Sequence, residues 1–248
     1  MFSLQLPKNA SKIAFGGLVA VLVIVLLYTV LWWLGFPTSI QGEILGVPFD
    51  VSILTLIMVC IFWVDGNIYI IKHHMGLNRY HYAIASTIVT FVVIGSVVVH
   101  EFAHGIVSTA FGNNIDHAGI SWWGAFVAPS TTISQMSPLQ QILVAAAGPF
   151  ANFAIAGIAV LIVWYKGESL FENTVQYLAV INIKLGRFNL FPLLVLDGGK
   201  VVDGFLRLFV QDQMARIIMS TVVWVVFIYM YRKYRKNNPP LEDRLSSL

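Results

Sequence analysis

Long apolar runs separated by short polar turns dominate the pattern of this chain. They lie at about residues 13–34, 51–71, 83–110, 139–165, 174–210 and 214–231. A helix needs roughly 20 apolar residues to cross the hydrocarbon core of a bilayer, and each run approaches or exceeds that length. The pattern therefore predicts an all-α polytopic membrane protein with about six transmembrane helices.

Three segments depart from plain helix. Residues 113–132 place glycines among aromatic and β-branched residues, which indicates a small β-hairpin after the third span. Because the hairpin carries few charges, we expect it to lie within the membrane, covered by protein. Residues 186–199 contain one proline and two closing glycines, which indicates an unwound break in the fifth helix. Residues 35–50, with their prolines and glycines, predict a loop.

The composition excludes a large soluble domain. The chain has 248 residues, of which 58% are hydrophobic and 11% charged, whereas soluble domains are about 25% charged. We expect two N-terminal helices with loops in residues 1–82, a core in 83–210, and a last helix with a basic tail in 211–248. The formal charge of +3 is more typical of membrane topology than of nucleic-acid binding. A single cysteine, Cys60, excludes an internal disulfide.

Candidate chemistry begins in the third span, with His100, Glu101 and His104. Histidines four positions apart lie on one face of a helix, so both imidazoles can occupy positions of one tetrahedral zinc site. Glu101 follows the first histidine, where a general base would act on a metal-bound water. Ionisable side chains are costly at membrane depth, so their presence indicates a functional site.

A catalytic zinc usually has a third protein ligand besides a water. Two acidic residues, Asp65 and Asp197, are candidates in apolar segments. Asp197 is favoured because it lies in the predicted break, where Gly198 permits close approach of the backbone. For Asp65, pairing with a neighbouring helix is the better interpretation. Two histidines and an aspartate suit zinc, although they do not exclude iron or another divalent ion.

Three motifs together resemble the signature of the site-2 protease family of intramembrane zinc metalloproteases, which is peptidase family M50. Their order and spacing match, from about residue 84 to 208. The motifs are His100-Glu101-x-x-His104, Gly148-Pro149-x-x-Asn152 and Asn189-x-x-Pro192-x-x-x-x-Asp197-Gly198.

The resemblance implies one zinc per chain, bound by His100, His104 and Asp197, with Glu101 as the acid/base. It implies that Asn189 contacts the substrate backbone or stabilises the transition state. It also implies that the hairpin pairs with an unwound strand of a transmembrane substrate. The implied protein is a multi-pass endopeptidase of the cell membrane, whose partners are membrane-anchored regulatory proteins and the lipid bilayer, with no nucleic acid.

Other interpretations remain open. The His, Glu and Asp cluster could be the translocation site of a transporter or ion-coupled channel, although such proteins often show repeated halves and no repeat is visible. Asn152 could make an interhelical hydrogen bond or support the site. We expect Gly148 and Pro149 mainly to permit close helix packing. Pro192 and Gly198 are expected to pack around the site.

Overall fold

The computed structural model describes residues 10–44, 46–73, 79–121, 124–132, 135–164, 170–193 and 195–237. Helices form most of this part of the chain, and one small sheet accompanies them. In chain order the elements are α1 (Ala10–Trp33), β1 (Ser39–Ile44), β2 (Val47–Ser52), α2 (Thr55–His73), α3 (Arg79–Ala110), β3 (Ile115–Ser121), β4 (Gly124–Pro129), α4 (Pro138–Trp164), α5 (Leu170–Asn189), α6 (Asp197–Leu206) and α7 (Gln213–Asn237).

Four described helices are long and apolar enough to cross a membrane: Ser11–Trp33, Tyr80–Ala110, Pro138–Val163 and Gln213–Tyr234. A shorter apolar helix covers Thr55–Ile70. The protein is therefore a multi-pass integral membrane protein. The count of six crossings stays a prediction, because the apolar part of α2 is short and α5 carries exposed cations such as Lys184.

One buried apolar cluster lies among α2, α3 and α5. Ile70, Val89 and Tyr177 belong to this cluster, to which each of these helices contributes a residue. The Tyr177 hydroxyl donates to Asp65 Oδ2 at 2.6 Å. Asp65 thus makes the helix-to-helix contact expected of it, and α3 is held at the centre of the bundle, where it also packs against α4.

The sheet has four strands in the order β1-β2-β3-β4. β1 and β2 form an antiparallel hairpin, β2 runs parallel to β3, and β3 pairs with β4 in antiparallel fashion. The predicted hairpin at residues 113–132 is thus half of a larger sheet. At Gly119 a side chain would meet Asp50 O and the Phe126 ring, each at 2.7 Å, so glycine lets the two hairpins approach.

The prediction of a loop at residues 35–50 is wrong, because this segment supplies β1 and the start of β2. Two prolines and three glycines in this segment favoured a loop over strands. Pro48 lies in β2 but outside its pairing with β3, which covers residues 49–51, so its missing N–H costs no hydrogen bond there. Gly46 adopts φ +82° at the turn, a conformation that glycine accepts without strain.

The start of α4 and the break after α5 follow the sequence closely. Ser137 and Gln140 cap α4 reciprocally: Ser137 N donates to Gln140 Oε1 at 2.9 Å, and Gln140 N donates to Ser137 Oγ at 3.3 Å. Pro149 lies within α4 without ending it. Helix stops at Asn189 and resumes at Asp197, so the break is shorter at both ends than the predicted one at residues 186–199.

Candidate metal centre

α3 brings two imidazoles together. His100 and His104 lie one turn apart, and their ring planes stand at 81° with centroids 4.9 Å apart. Their Nε2 atoms are 3.2 Å apart. His100 is only 4% exposed, so water does not compete freely for its inner nitrogen. The helical spacing in the sequence therefore produces a shared focus for two nitrogen ligands.

Asp197, the first residue of α6, reaches the same focus from a distant part of the chain. Its Oδ2 atom lies 3.0 Å from His100 Nε2 and 3.2 Å from His104 Nε2. The next residue, Gly198, sits against the backbone of Leu190 and Phe191, where a side chain would overlap the two carbonyls. A glycine after Asp197 thus lets α6 begin tightly against the break, which aims the carboxylate at the histidines.

The outer nitrogens of both rings also have partners. His104 Nδ1 lies 2.6 Å from the Val144 carbonyl oxygen. A carbonyl only accepts, so this nitrogen carries the proton, and His104 Nε2 presents a lone pair to the focus. His100 Nδ1 lies 2.5 Å from Asn152 Oδ1. Such contacts to the second ring nitrogen orient metal-binding histidines.

The donor set fits a divalent metal ion. Two imidazole nitrogens and a carboxylate oxygen converge at 3.0–3.2 Å, and lone pairs held this close repel unless a cation or a proton lies among them. Ligand atoms of a tetrahedral zinc are spaced by roughly 3.3 Å, given bonds of about 2.0–2.2 Å. The three side chains thus match the spacing of zinc ligands.

Glu101 lies beside these ligand atoms. Its Oε1 atom is 4.0 Å from His100 Nε2, and the ligand atoms of His100, Glu101 and His104 lie within 4.8 Å of one another. A carboxylate at this distance from the first histidine can reach a small molecule held at the focus. A cavity of about 70 Å³ opens next to Glu101 and His104, and Ser108, Val127 and Gln141 line it further.

Gly148 touches the histidines directly. A methyl group at this position would overlap the Nε2 atoms of both His100 and His104. The sequence indicated a helix-packing role for Gly148 and Pro149, and Pro149 is indeed fully buried. The contact of Gly148 with both rings was not foreseen, although a glycine one turn before Asn152 in an apolar helix was the available signal.

Lys200 is a second neighbour that the sequence interpretation missed. Its ammonium Nζ lies 3.0 Å from Asp197 Oδ1, so it occupies the carboxylate oxygen that does not face the histidines. The signal was a cation three positions after Asp197 on a helix, where the two side chains are neighbours. Asn189 ends α5, and Pro192 lies between α5 and α6.

Comparison with known proteins identifies the family of this chain. The family model "Peptidase family M50" matches residues 87–174 and 166–230, which together make up more than half of the chain and contain all three motifs. The chain belongs to peptidase family M50. The matched region runs from within α3 to within α7 and includes every side chain of the candidate metal centre.

Individual relatives are distant. This M50 chain is similar to the putative zinc metalloprotease Rip3 of Mycobacterium tuberculosis, with 26% identity over 46% of the chain and 30% of the relative. Zinc metalloprotease MJ0392 of Methanocaldococcus jannaschii shares 21% over 66% of the chain and 44% of the relative. The chain thus spans less than half the length of these curated relatives.

A solved structure resembles the fold. The site-2 protease from Methanocaldococcus jannaschii aligns with a TM-score of 0.52 and 18% identity, covering 81% of this chain and 87% of that one. At this identity the match describes the fold alone.

Proposed function

We propose that this chain is a zinc-dependent intramembrane endopeptidase that hydrolyses peptide bonds within transmembrane segments of membrane-anchored regulatory proteins. The observation that carries the proposal is the convergence of His100, His104 and Asp197 within 3.2 Å, beside Glu101, on a helix apolar enough to cross a membrane. Membership of an M50 peptidase family supports it.

The metal site would be held by His100 Nε2, His104 Nε2 and Asp197 Oδ2. When bound, zinc supplies Lewis acidity, which activates water and polarises a peptide carbonyl. With these three protein ligands, a tetrahedral zinc would still have room for a water or a substrate oxygen. Lys200 and the Val144 carbonyl keep Asp197 Oδ2 and His104 Nε2 directed at the point where the metal would bind.

Glu101 is the acid/base in this proposal. Its carboxylate takes a proton from the attacking water and then delivers it to the nitrogen of the leaving amine. A role in both directions requires a carboxylate that touches the reaction centre without being a ligand itself. The 4.0 Å separation between Glu101 Oε1 and His100 Nε2 supports that position.

The substrate would be a locally unwound transmembrane segment. Since β4 is the last strand of the described sheet and its Val127 lines the cavity beside Glu101, its outer edge can receive an extended chain by strand addition. In this proposal, Asn189 at the end of α5 contacts the substrate backbone. Residues 83–210 would form the protease core.

The finer membrane topology is part of the proposal. We infer six crossings in the cell membrane, with α2 as a short span and the pair of α5 and α6 as the broken fifth span. The end of α5 at Asn189 and the start of α6 at Asp197 flank this break, and irregular backbone is tolerated at membrane depth when protein covers it.

A reconstituted cleavage assay tests the function. The full chain and a single-span substrate are placed in liposomes with zinc, and fragments are identified by mass spectrometry. Glu101→Gln should retain zinc and lose cleavage, whereas Glu43→Gln, on the exposed strand β1, should cleave like the wild type. Cleavage by Glu101→Gln at the wild-type rate would refute this mechanism. Zinc or proton flux without cleavage would instead support a transporter.

A further inference from the structure

Asn182 lies in the middle of α5 and is completely buried. We propose that Asn182 is a positioning residue for the metal centre: acting through Asn152, it determines which ring nitrogen of His100 carries the proton. This inference rests on the proposed metal site, and it concerns a residue outside the three motifs of the sequence.

A continuous line of buried hydrogen bonds joins Asn182 to the site. His100 Nδ1 lies 2.5 Å from Asn152 Oδ1, and Asn152 Nδ2 donates to Asn182 Oδ1 at 2.8 Å. Asn182 Nδ2 donates to the Leu178 carbonyl at 2.9 Å and to Ser96 Oγ at 3.1 Å. Both amides have no exposed surface, so no solvent can replace these partners.

The far end of this line has a fixed direction. The Leu178 carbonyl can only accept, so the amide group of Asn182 that faces it must be its NH2. The Ser96 hydroxyl donates to the Val92 carbonyl at 3.0 Å and therefore accepts from the same NH2. Two acceptors at one end thus select one of the two possible orientations of the Asn182 amide.

That orientation is passed on to the histidine. The Asn182 oxygen faces Asn152 and accepts from its NH2 group, which leaves the Asn152 oxygen facing His100. An oxygen in that position requires a proton on His100 Nδ1. His100 Nε2 is then a lone pair directed at Asp197 and His104, which is the form of imidazole that binds a metal.

Both ends of this series of hydrogen bonds lie on α3. Ser96 and His100 lie one turn apart on α3, while Asn152 is on α4 and Asn182 on α5. A flipped Asn152 amide would present its NH2 to His100 Nδ1, and His100 would then carry its proton on Nε2, in the position of the metal. The hydrogen bond from Asn152 to Asn182 disfavours that flip, although Asn182 touches no ligand atom.

A purely structural role makes a different prediction. If Asn182 only holds α5 against α3 and α4, then every variant that breaks its hydrogen bonds should lower zinc affinity to the same extent, whatever residue is at position 152. If it orients Asn152, then its loss should be repaired by a group at position 152 that can only accept. A carboxylate is such a group, because both of its oxygens accept a hydrogen bond from the imidazole.

Zinc affinity of the purified full chain in detergent, measured by competition with a chelator, separates these roles. Asn182→Leu should weaken zinc binding roughly 10-fold, at the low end for loss of an outer partner of a metal ligand, because Asn152 itself remains. Asn182→Leu combined with Asn152→Asp should return to within a few-fold of the wild type. Thr90→Val, which removes another buried hydrogen bond within α3, should leave the affinity unchanged.

A second variant covers the case in which Asn182→Leu does not fold. Asn182→Asp keeps the size of the side chain and an oxygen toward Asn152, and its buried carboxyl group stays protonated so that the hydroxyl donates to the Leu178 carbonyl. This variant should bind zinc within a few-fold of the wild type, and a loss of 10-fold or more would overturn the inference. Two further results would overturn this inference while leaving the proposed metal site intact. In one, the double variant binds zinc as weakly as Asn182→Leu, and in the other, Asn182→Leu binds zinc as tightly as the wild type. Failure of the wild type to bind zinc would overturn the proposed metal site as well.

Discussion

Asp197 Oδ2 lies 3.0 Å from His100 Nε2, although 97 positions separate the two residues in the chain. One residue belongs to a long membrane helix, and the other begins a short helix after a break. Their contact joins the first and third motifs at one point, and His104 lies at the same point.

Removing Asp197 should therefore abolish zinc binding. Asp197→Ala leaves two histidines, and the site loses the anionic ligand that balances the charge of the metal. We expect stoichiometric zinc in the wild type and loss of zinc in Asp197→Ala, measured by elemental analysis of the purified chain. Asp116→Ala, at an exposed position of β3, serves as the control and should keep its zinc. Full zinc content in Asp197→Ala would contradict the proposed ligand set.

Gly148 should tolerate no side chain. In Gly148→Ala the added methyl overlaps both histidine Nε2 atoms, so the rings must shift. We expect a destabilisation of about 1–3 kcal/mol, the usual cost of overpacking, and a weaker zinc affinity. Thermal unfolding and chelator competition measure the two effects.

Gly157 provides a matched control for Gly148 in the same helix. A Cβ atom at Gly157 meets nothing within 4 Å, so Gly157→Ala should keep the zinc affinity of the wild type. Equal losses in the two variants would point to a general effect of alanine on α4 rather than to contact with the site.

Lys200 should support the metal site through its charge. Lys200→Met removes the ammonium from Asp197 Oδ1, which frees the carboxylate to rotate. We expect a fall in zinc affinity of roughly 10-fold, at the low end for an outer partner of a ligand, because the Lys200 side chain is 35% exposed. Lys200→Arg should retain most of the affinity, and Lys184→Met, on the exposed face of α5, should have no effect. An unchanged affinity in Lys200→Met would count against this role.

The sequence by itself determined the features that depend on short-range periodicity. The apolar runs predict the long helices, and helical spacing places His100 and His104 on one face because a turn takes 3.6 residues. The break before Asp197 was indicated by local chemistry as well, because Pro192 cannot donate a helical hydrogen bond. Proline and paired glycines do not end every helix, however, since Pro149 lies inside α4 and Gly198 and Gly199 lie inside α6. Asp197 could be singled out because few acidic residues lie in apolar segments.

Only the tertiary structure decided which distant residues meet. The four-stranded sheet depends on the pairing of β2 with β3, which α2 and α3 separate in the chain, and nothing local in residues 35–50 indicates that partner. Gly148 touches the histidines because α4 packs closely on α3. Lys200 on α6 contacts Asp197, and Asn182 on α5 contacts Asn152. Periodicity acts over one or two turns, whereas such contacts arise from the packing of whole helices. The sequence therefore predicts which side chains each helix carries on a given face, and helix packing determines which residues those side chains contact.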